Sequence, residues 1–284
     1  MLVPERRMEQ SLSYRRYESG CSADWVVLLP GAGAASVIWR RQIPVLRRTH
    51  NVLAIDLPGH GRSPQGTQSD LYSFESIANQ IIDVLDKEGI TSAHLISMSL
   101  GGLIAETIAL HHPERVRSLI LAGGIAKLNW WAICLMYISH ALRPLMPYMA
   151  LYRIYAWIIM PGSAHARTRH IFAAHAIRLG RQEFLRWCRM CSQIRSLLRR
   201  SADRSTFIPT LFVIGEADYM LYSYALERAQ RRSDTNFASV PNCGHVCSVE
   251  RPDVFNQIVG EFFLDQKRRH IKPGDGGNAA IQSD

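Results

Sequence analysis

No stretch of about 20 uninterrupted apolar residues occurs in this chain, so its pattern argues against a transmembrane helix. The nearest approach, residues 130–160, is broken by Arg143, Pro144, Pro147 and Arg153. Acidic side chains are scarce: 24 Asp and Glu stand against 33 Lys and Arg, a formal net charge of +9. Much of the excess lies between Arg167 and Arg200, with no nucleic-acid-binding motif beside it. Those arginines read as solvated helix faces, so nucleic acid is not an expected partner, and membrane contact is at most peripheral. Only six cysteines occur in 284 residues, and the amino terminus has no apolar signal core. Free thiols in a reducing cytosol are therefore expected rather than a disulfide frame. Cys188 and Cys191 sit in a helical pattern, and Cys243 and Cys247 enclose Gly244-His245. Neither spacing has the turn of a zinc knuckle, and no metal is expected. Internal repeats are absent too.

Hydrophobic residues make up 47% of the chain, enough to bury a sizeable core. Short apolar runs at 25–30, 51–58, 93–97, 116–124, 209–215 and 236–241 read as buried strands. Helical patterns lie between and after them, at 36–48, 73–88, 100–113, 221–232 and 251–264. Ser73 is the candidate N-cap of the second helix, and Gly89 closes it. Apolar strands alternating with helices predict an α/β fold, a mostly parallel, doubly wound sheet covered on both faces. Residues 11–20 are expected to add an antiparallel edge strand or hairpin. Residues 125–205 contain helices without a strand, rich in Trp, Tyr, Met and Arg. They read as a helical cap inserted into a core formed by 1–124 and 206–264. Residues 265–284 are polar and Gly-rich and read as a flexible tail.

The segment His94-Leu-Ile-Ser-Met-Ser-Leu-Gly-Gly102 joins a strand to a helix within two residues. A side chain on so sharp a corner is lifted clear of the sheet, and its neighbours must be small. Gly101 stands two residues after Ser99, which makes Ser99 the candidate nucleophile. Ser97 occupies the place of the preceding glycine in the pattern G-x-S-x-G. A serine hydroxyl is a weak nucleophile and needs a base, which in turn needs an orienting acid. Asp218 in "GEAD" and His245 in "NCGHV" follow in that order, with Glu216 the nearby rival acid.

The order Ser99, Asp218, His245, the strand–turn–helix context and the segment "DLPGHGRS" (56–63) together resemble the α/β-hydrolase superfamily over about residues 24–264. The resemblance implies a serine hydrolase without cofactor, in which His245 takes the Ser99 proton and Asp218 orients His245. It implies an oxyanion hole of two backbone N–H groups, Leu100 and Ala32. In "LLPGAGAAS" Pro30 stands where relatives carry His. His60 is read as stabilising its own loop. The expected substrate is a small molecule, a carboxylic ester with a lipophilic acyl or alcohol part. Trp130, Trp131, Met136 and Tyr137 are candidate wall residues. Alternatives on the same groups are thioester, lactone, amide or carbon–carbon bond hydrolysis, haloperoxidase-like chemistry, a lyase-type synthase, or binding without catalysis. The expected location is cytoplasmic.

Overall fold

In the computed structural model, residues 11–20, 24–67, 72–128, 138, 146–161 and 165–271 are described. Seven strands build one sheet: β1 (Tyr14–Tyr17), β2 (Trp25–Leu29), β3 (Asn51–Ile55), β4 (Ala93–Met98), β5 (Val116–Ala122), β6 (Thr210–Gly215) and β7 (Thr235–Val240). Their spatial order is β1-β3-β2-β4-β5-β6-β7. β1 pairs antiparallel with β3, Tyr14 facing Ile55, and every other pairing is parallel.

Alternation along each strand sends neighbouring side chains to opposite faces. Val27 and Leu29 of β2 enter one buried cluster, while Val26 and Leu28 enter the other. Both faces are thus apolar, which is why the central strands read as unbroken hydrophobic runs. One face is covered by α2 (Phe74–Lys87) and α3 (Leu100–His111), the other chiefly by the carboxyl-terminal helix. Ile77, Ile81 and Leu85 recur at helical spacing along the inner side of α2 and are completely buried. Each contributes about 1.5–3 kcal/mol relative to exposure. The start of α2 is fixed by a reciprocal cap, Ser76 N–H donating to Ser73 Oγ and Ser73 N–H to Ser76 Oγ.

The single helix expected at 36–48 is instead a 3₁₀ turn, Ser36–Trp39, followed by α1 (Ile43–Leu46). Pro44 explains the break, since it lacks an N–H and its ring favours the first turn of a helix over its interior.

Beyond the sheet run α4 (Tyr148–Ile159), α5 (Ala166–Met190) and α6 (Ile194–Ala202). Gly180, with φ of 77°, divides α5 into two helical parts. The segment 125–205 does not stand apart along its whole length. Leu151, Leu179 and Phe184 form a small buried cluster of their own. Trp187, Met190, Ile194, Leu197 and Leu198 instead join the α2–α3 side of the main core. Ser201 Oγ reinforces this attachment by donating to Glu106 on α3 over 2.8 Å. The carboxyl-terminal part of the chain adds α7 (Tyr222–Arg231), α8 (Cys247–Glu250) and α9 (Pro252–Ile271). α9 runs past residue 264, the expected end of the helix, to Ile271, and Gln266 still lies buried against the body of the protein. Among the described residues no helix is long and apolar enough to cross a membrane.

Candidate active site

Ser99 stands between β4 and α3 with φ 49° and ψ −120°, a conformation that a non-glycine residue adopts at a cost of about 1–3 kcal/mol. Two features hold the strain in place. Ser99 N–H donates to Ala122 O at the end of β5 over 2.9 Å. Gly101, the second residue of α3, lies so close to the end of β2 that a Cβ there would collide with the Pro30 carbonyl oxygen. Small residues are thus required where strand and helix meet. Ser97 is tolerated in the first glycine position because its hydroxyl reaches Ile120 O over 3.3 Å on the neighbouring strand.

Asp218 follows β6 in a tight turn, its N–H bonded to Gly215 O over 2.9 Å. Its carboxylate is buried and accepts from His245 Nδ1 over 2.8 Å. Glu216, the rival acid, is exposed and makes no such bond. His245 follows β7 and is itself buried. Its ring lies against Gly123, the residue after β5, where a Cβ would meet Nδ1 and Cε1 at 3.1 Å. Ser99 and His245 therefore flank the same strand end, one bonded to Ala122 and the other packed on Gly123. Among the described residues the Ser99 hydroxyl forms no hydrogen bond.

Burial drives the His245 pKa down, but the charge and hydrogen bond of Asp218, helped by the charge of Glu250, outweigh it and leave the pKa raised. The bond from Nδ1 to a carboxylate places the neutral ring's proton on Nδ1 and frees Nε2 as the base. Nothing in the sequence pointed to Glu250. It accepts Gly244 N–H over 2.8 Å and pairs with His165 over 3.2 Å, while the His165 ring covers Gly244.

The loop after β2 forms the opposite wall. A Cβ on Gly31 would meet Ser99 Cβ at 3.3 Å, so this loop abuts the nucleophile. Gly33 N–H donates to His60 Nε2 over 2.8 Å, and Ala34 N–H to Gly31 O. Ala32 N–H and Leu100 N–H, the two expected oxyanion donors, take no partner among the described residues. His60 is wholly buried and hydrogen-bonded by Nδ1 to Pro58 O, and burial lowers its pKa to about 4. It is therefore neutral, donating through Nδ1 and accepting through Nε2. Asp56 completes the scaffold by accepting Ser36 N–H and Arg62 N–H. The "DLPGHGRS" segment thus shapes the loop beside Ser99.

Trp130, Trp131, Met136 and Tyr137 lie outside the described residues. Among the described residues of this segment, Tyr152 on α4 lies against Gly33, while Glu183 and Trp187 on α5 pack on the loop after β3. Glu183 is buried and accepts from Tyr72 Oη over 2.7 Å and Gly66 N–H over 2.6 Å, with Arg186 at 3.1 Å. Trp187 Nε1 donates to Pro58 O over 3.2 Å, and its ring meets His60 edge-on.

The chain is similar to several known proteins. A pimeloyl-[acyl-carrier protein] methyl ester esterase of Aeromonas hydrophila is 37% identical over 114 residues, 40% of this chain and 42% of the relative. The putative carbamate hydrolase RutD of Stutzerimonas stutzeri is 26% identical over 261 residues, covering 86% of this chain and 93% of that protein. The crystal structure of the enol-lactonase from Burkholderia xenovorans superposes with a TM-score of 0.74 at 22% identity, covering 89% of this chain and 96% of that one. The pattern that defines the alpha/beta hydrolase family matches residues 26–258, and the chain belongs to that family.

Proposed function

We propose that this enzyme is a serine hydrolase of carboxylic esters with a lipophilic acyl or alcohol part. The observation that carries this reading is the strained Ser99 corner, placed at the α3 amino terminus beside the buried Asp218–His245 pair. Ser99 Oγ attacks the scissile carbonyl carbon as His245 Nε2 takes its proton. The carbonyl oxygen acquires negative charge and is met by the N–H groups of Leu100 and Ala32, with the positive end of α3 behind Leu100. Collapse breaks the bond to the alcohol, which leaves with the proton from His245, and an acyl-enzyme remains. Water, deprotonated by His245, then releases the acid and restores Ser99. Asp218 stabilises the imidazolium formed in both halves.

Two lines of support bear on the bond class. The relatives are named as a methyl ester esterase and a putative carbamate hydrolase, names that both denote cleavage at a carbonyl carbon bearing a heteroatom leaving group. The helical segment is itself apolar, with Leu151, Leu179 and Phe184 forming a buried cluster of their own, and this character supports a lipophilic guest. The test is a panel of p-nitrophenyl esters of increasing acyl length, with thioesters and lactones beside them. Wild type should cleave esters fastest and be labelled by a fluorophosphonate, and Ser99→Ala should lose about 10⁴-fold or more in kcat and all labelling. Well-folded wild type that neither turns over nor labels would sink the reading in favour of a binding protein.

A further inference from the structure

Tyr152, on α4, is a phenol set directly over the loop that lines the nucleophile. A Cβ on Gly33 would lie 2.6 Å from the Tyr152 hydroxyl and 3.0 Å from its ring. Gly33 adopts φ of 72°, so the left-handed backbone and the phenol above it both require glycine here. Two residues earlier, Gly31 touches Ser99. Two residues of chain span at most about 7 Å, so the phenol and the nucleophile stand at opposite ends of a very short piece of loop. The residue between them is Ala32, the oxyanion donor of the proposed mechanism.

The rest of the Tyr152 side chain is accounted for by packing. Its ring meets Phe184 at right angles and abuts two apolar clusters. Its hydroxyl takes no hydrogen-bond partner among the described residues. The nearby loop donor, Gly33 N–H, is already committed to His60. The hydroxyl is not sealed off: it remains reachable by water, and an acceptor on a substrate can take that place.

We propose that the Tyr152 hydroxyl is a specificity-determining donor for the substrate, hydrogen-bonding a neutral acceptor one or two carbons from the scissile carbonyl on the acyl side. This rests on the hydrolase reading above. The substrate class it selects is an ester bearing an oxo or ether oxygen beside the reacting carbonyl, with its lipophilic part directed elsewhere. Burial pushes the Tyr152 pKa up, so the phenol remains a protonated donor throughout the neutral range. A carboxylate acceptor would bring an uncompensated charge into the same apolar setting and is disfavoured.

The experiment compares wild type and Tyr152→Phe on methyl butanoate and methyl 3-oxobutanoate in a pH-stat, with fluorophosphonate labelling of Ser99 alongside. Wild type should prefer the 3-oxo ester, and Tyr152→Phe should cut that preference roughly ten-fold, the size expected for one lost hydrogen bond. Butanoate turnover and Ser99 labelling should stay within about two-fold, because the ring and its packing are kept. An equal fall on both esters would assign Tyr152 a purely structural role and overturn the proposal. So would an unchanged preference. Wild type lacking both turnover and labelling would overturn the hydrolase reading itself, and this role with it.

Discussion

Two buried carboxylates divide the molecule into regions built on different logic. Asp218, at the carboxyl edge of the sheet, pairs with His245, a group whose ionisation changes near neutral pH. Glu183, at the seam between α5 and the loops after β3, pairs with Tyr72, Gly66 N–H and Arg186, none of which changes charge in that range. Each is almost wholly buried and hydrogen-bonded. Burial and pairing alone therefore do not mark chemistry. What separates the two is the partner and the strand end: Asp218 faces a titrating base beside a strained serine, whereas Glu183 fastens one element to another.

That contrast is broken most forcefully by exchanging the effects of the two. Asp218→Asn should lower kcat by about 10⁴-fold, because the amide donates to Nδ1 and holds the wrong tautomer. Its thermal midpoint should stay close to wild type. Glu183→Ala should do the reverse, costing about 3–5 kcal/mol of stability by leaving Arg186 buried without its carboxylate. Turnover per fluorophosphonate-titrated site should be preserved in the molecules that remain folded. Equal losses of activity per titrated site in the two variants would show that the seam belongs to the catalytic apparatus after all.

The two regions also differ in how much of them the amino-acid order reveals. Strands β2 to β6 are visible because both faces are buried and the apolar runs are continuous, whereas β7, a half-exposed edge strand, is legible mainly from its place in the alternation. The Ser99 corner is visible because close approach of α3 to Pro30 demands Gly101. Asp218 and His245 are visible as acid and base in a fixed order after strands. Tyr152, Glu183 and His165 carry no such signal. Each lies in a helical segment without strand landmarks, and its role comes from where that segment folds back on the core. An aromatic at helical spacing reads equally well as packing, and in Trp187 it does both, filling the core while bonding Pro58 O. The division of α5 at Gly180, and the return of α6 into the core, depend likewise on tertiary contacts that local pattern does not contain.

A gentler probe of the carboxyl edge is His60→Ala. It leaves Gly33 N–H unpaired and loosens the loop that carries Ala32, the proposed oxyanion donor, so kcat/KM should fall roughly ten- to a hundred-fold. The pH profile should keep its shape, since His60, with a pKa of about 4, is already neutral where the enzyme works.

The smallest effect should come from Glu250→Gln, and its sign is fixed by electrostatics. The proposed base must be neutral to accept the Ser99 proton, so kcat/KM falls as pH drops through the His245 pKa. Burial alone would place that pKa low, yet Asp218 and, to a lesser degree, Glu250 raise it above the ordinary histidine value. Wild type should therefore begin to lose activity at a higher pH than an unperturbed imidazole would dictate. Glutamine keeps an oxygen for Gly244 N–H but removes the negative charge, which lowers the His245 pKa. The acid limb should move to lower pH while the plateau at high pH stays near wild type. A limb that moved upward, or a plateau that collapsed, would mean that Glu250 acts by holding the Gly244–His245 backbone in place rather than through its charge.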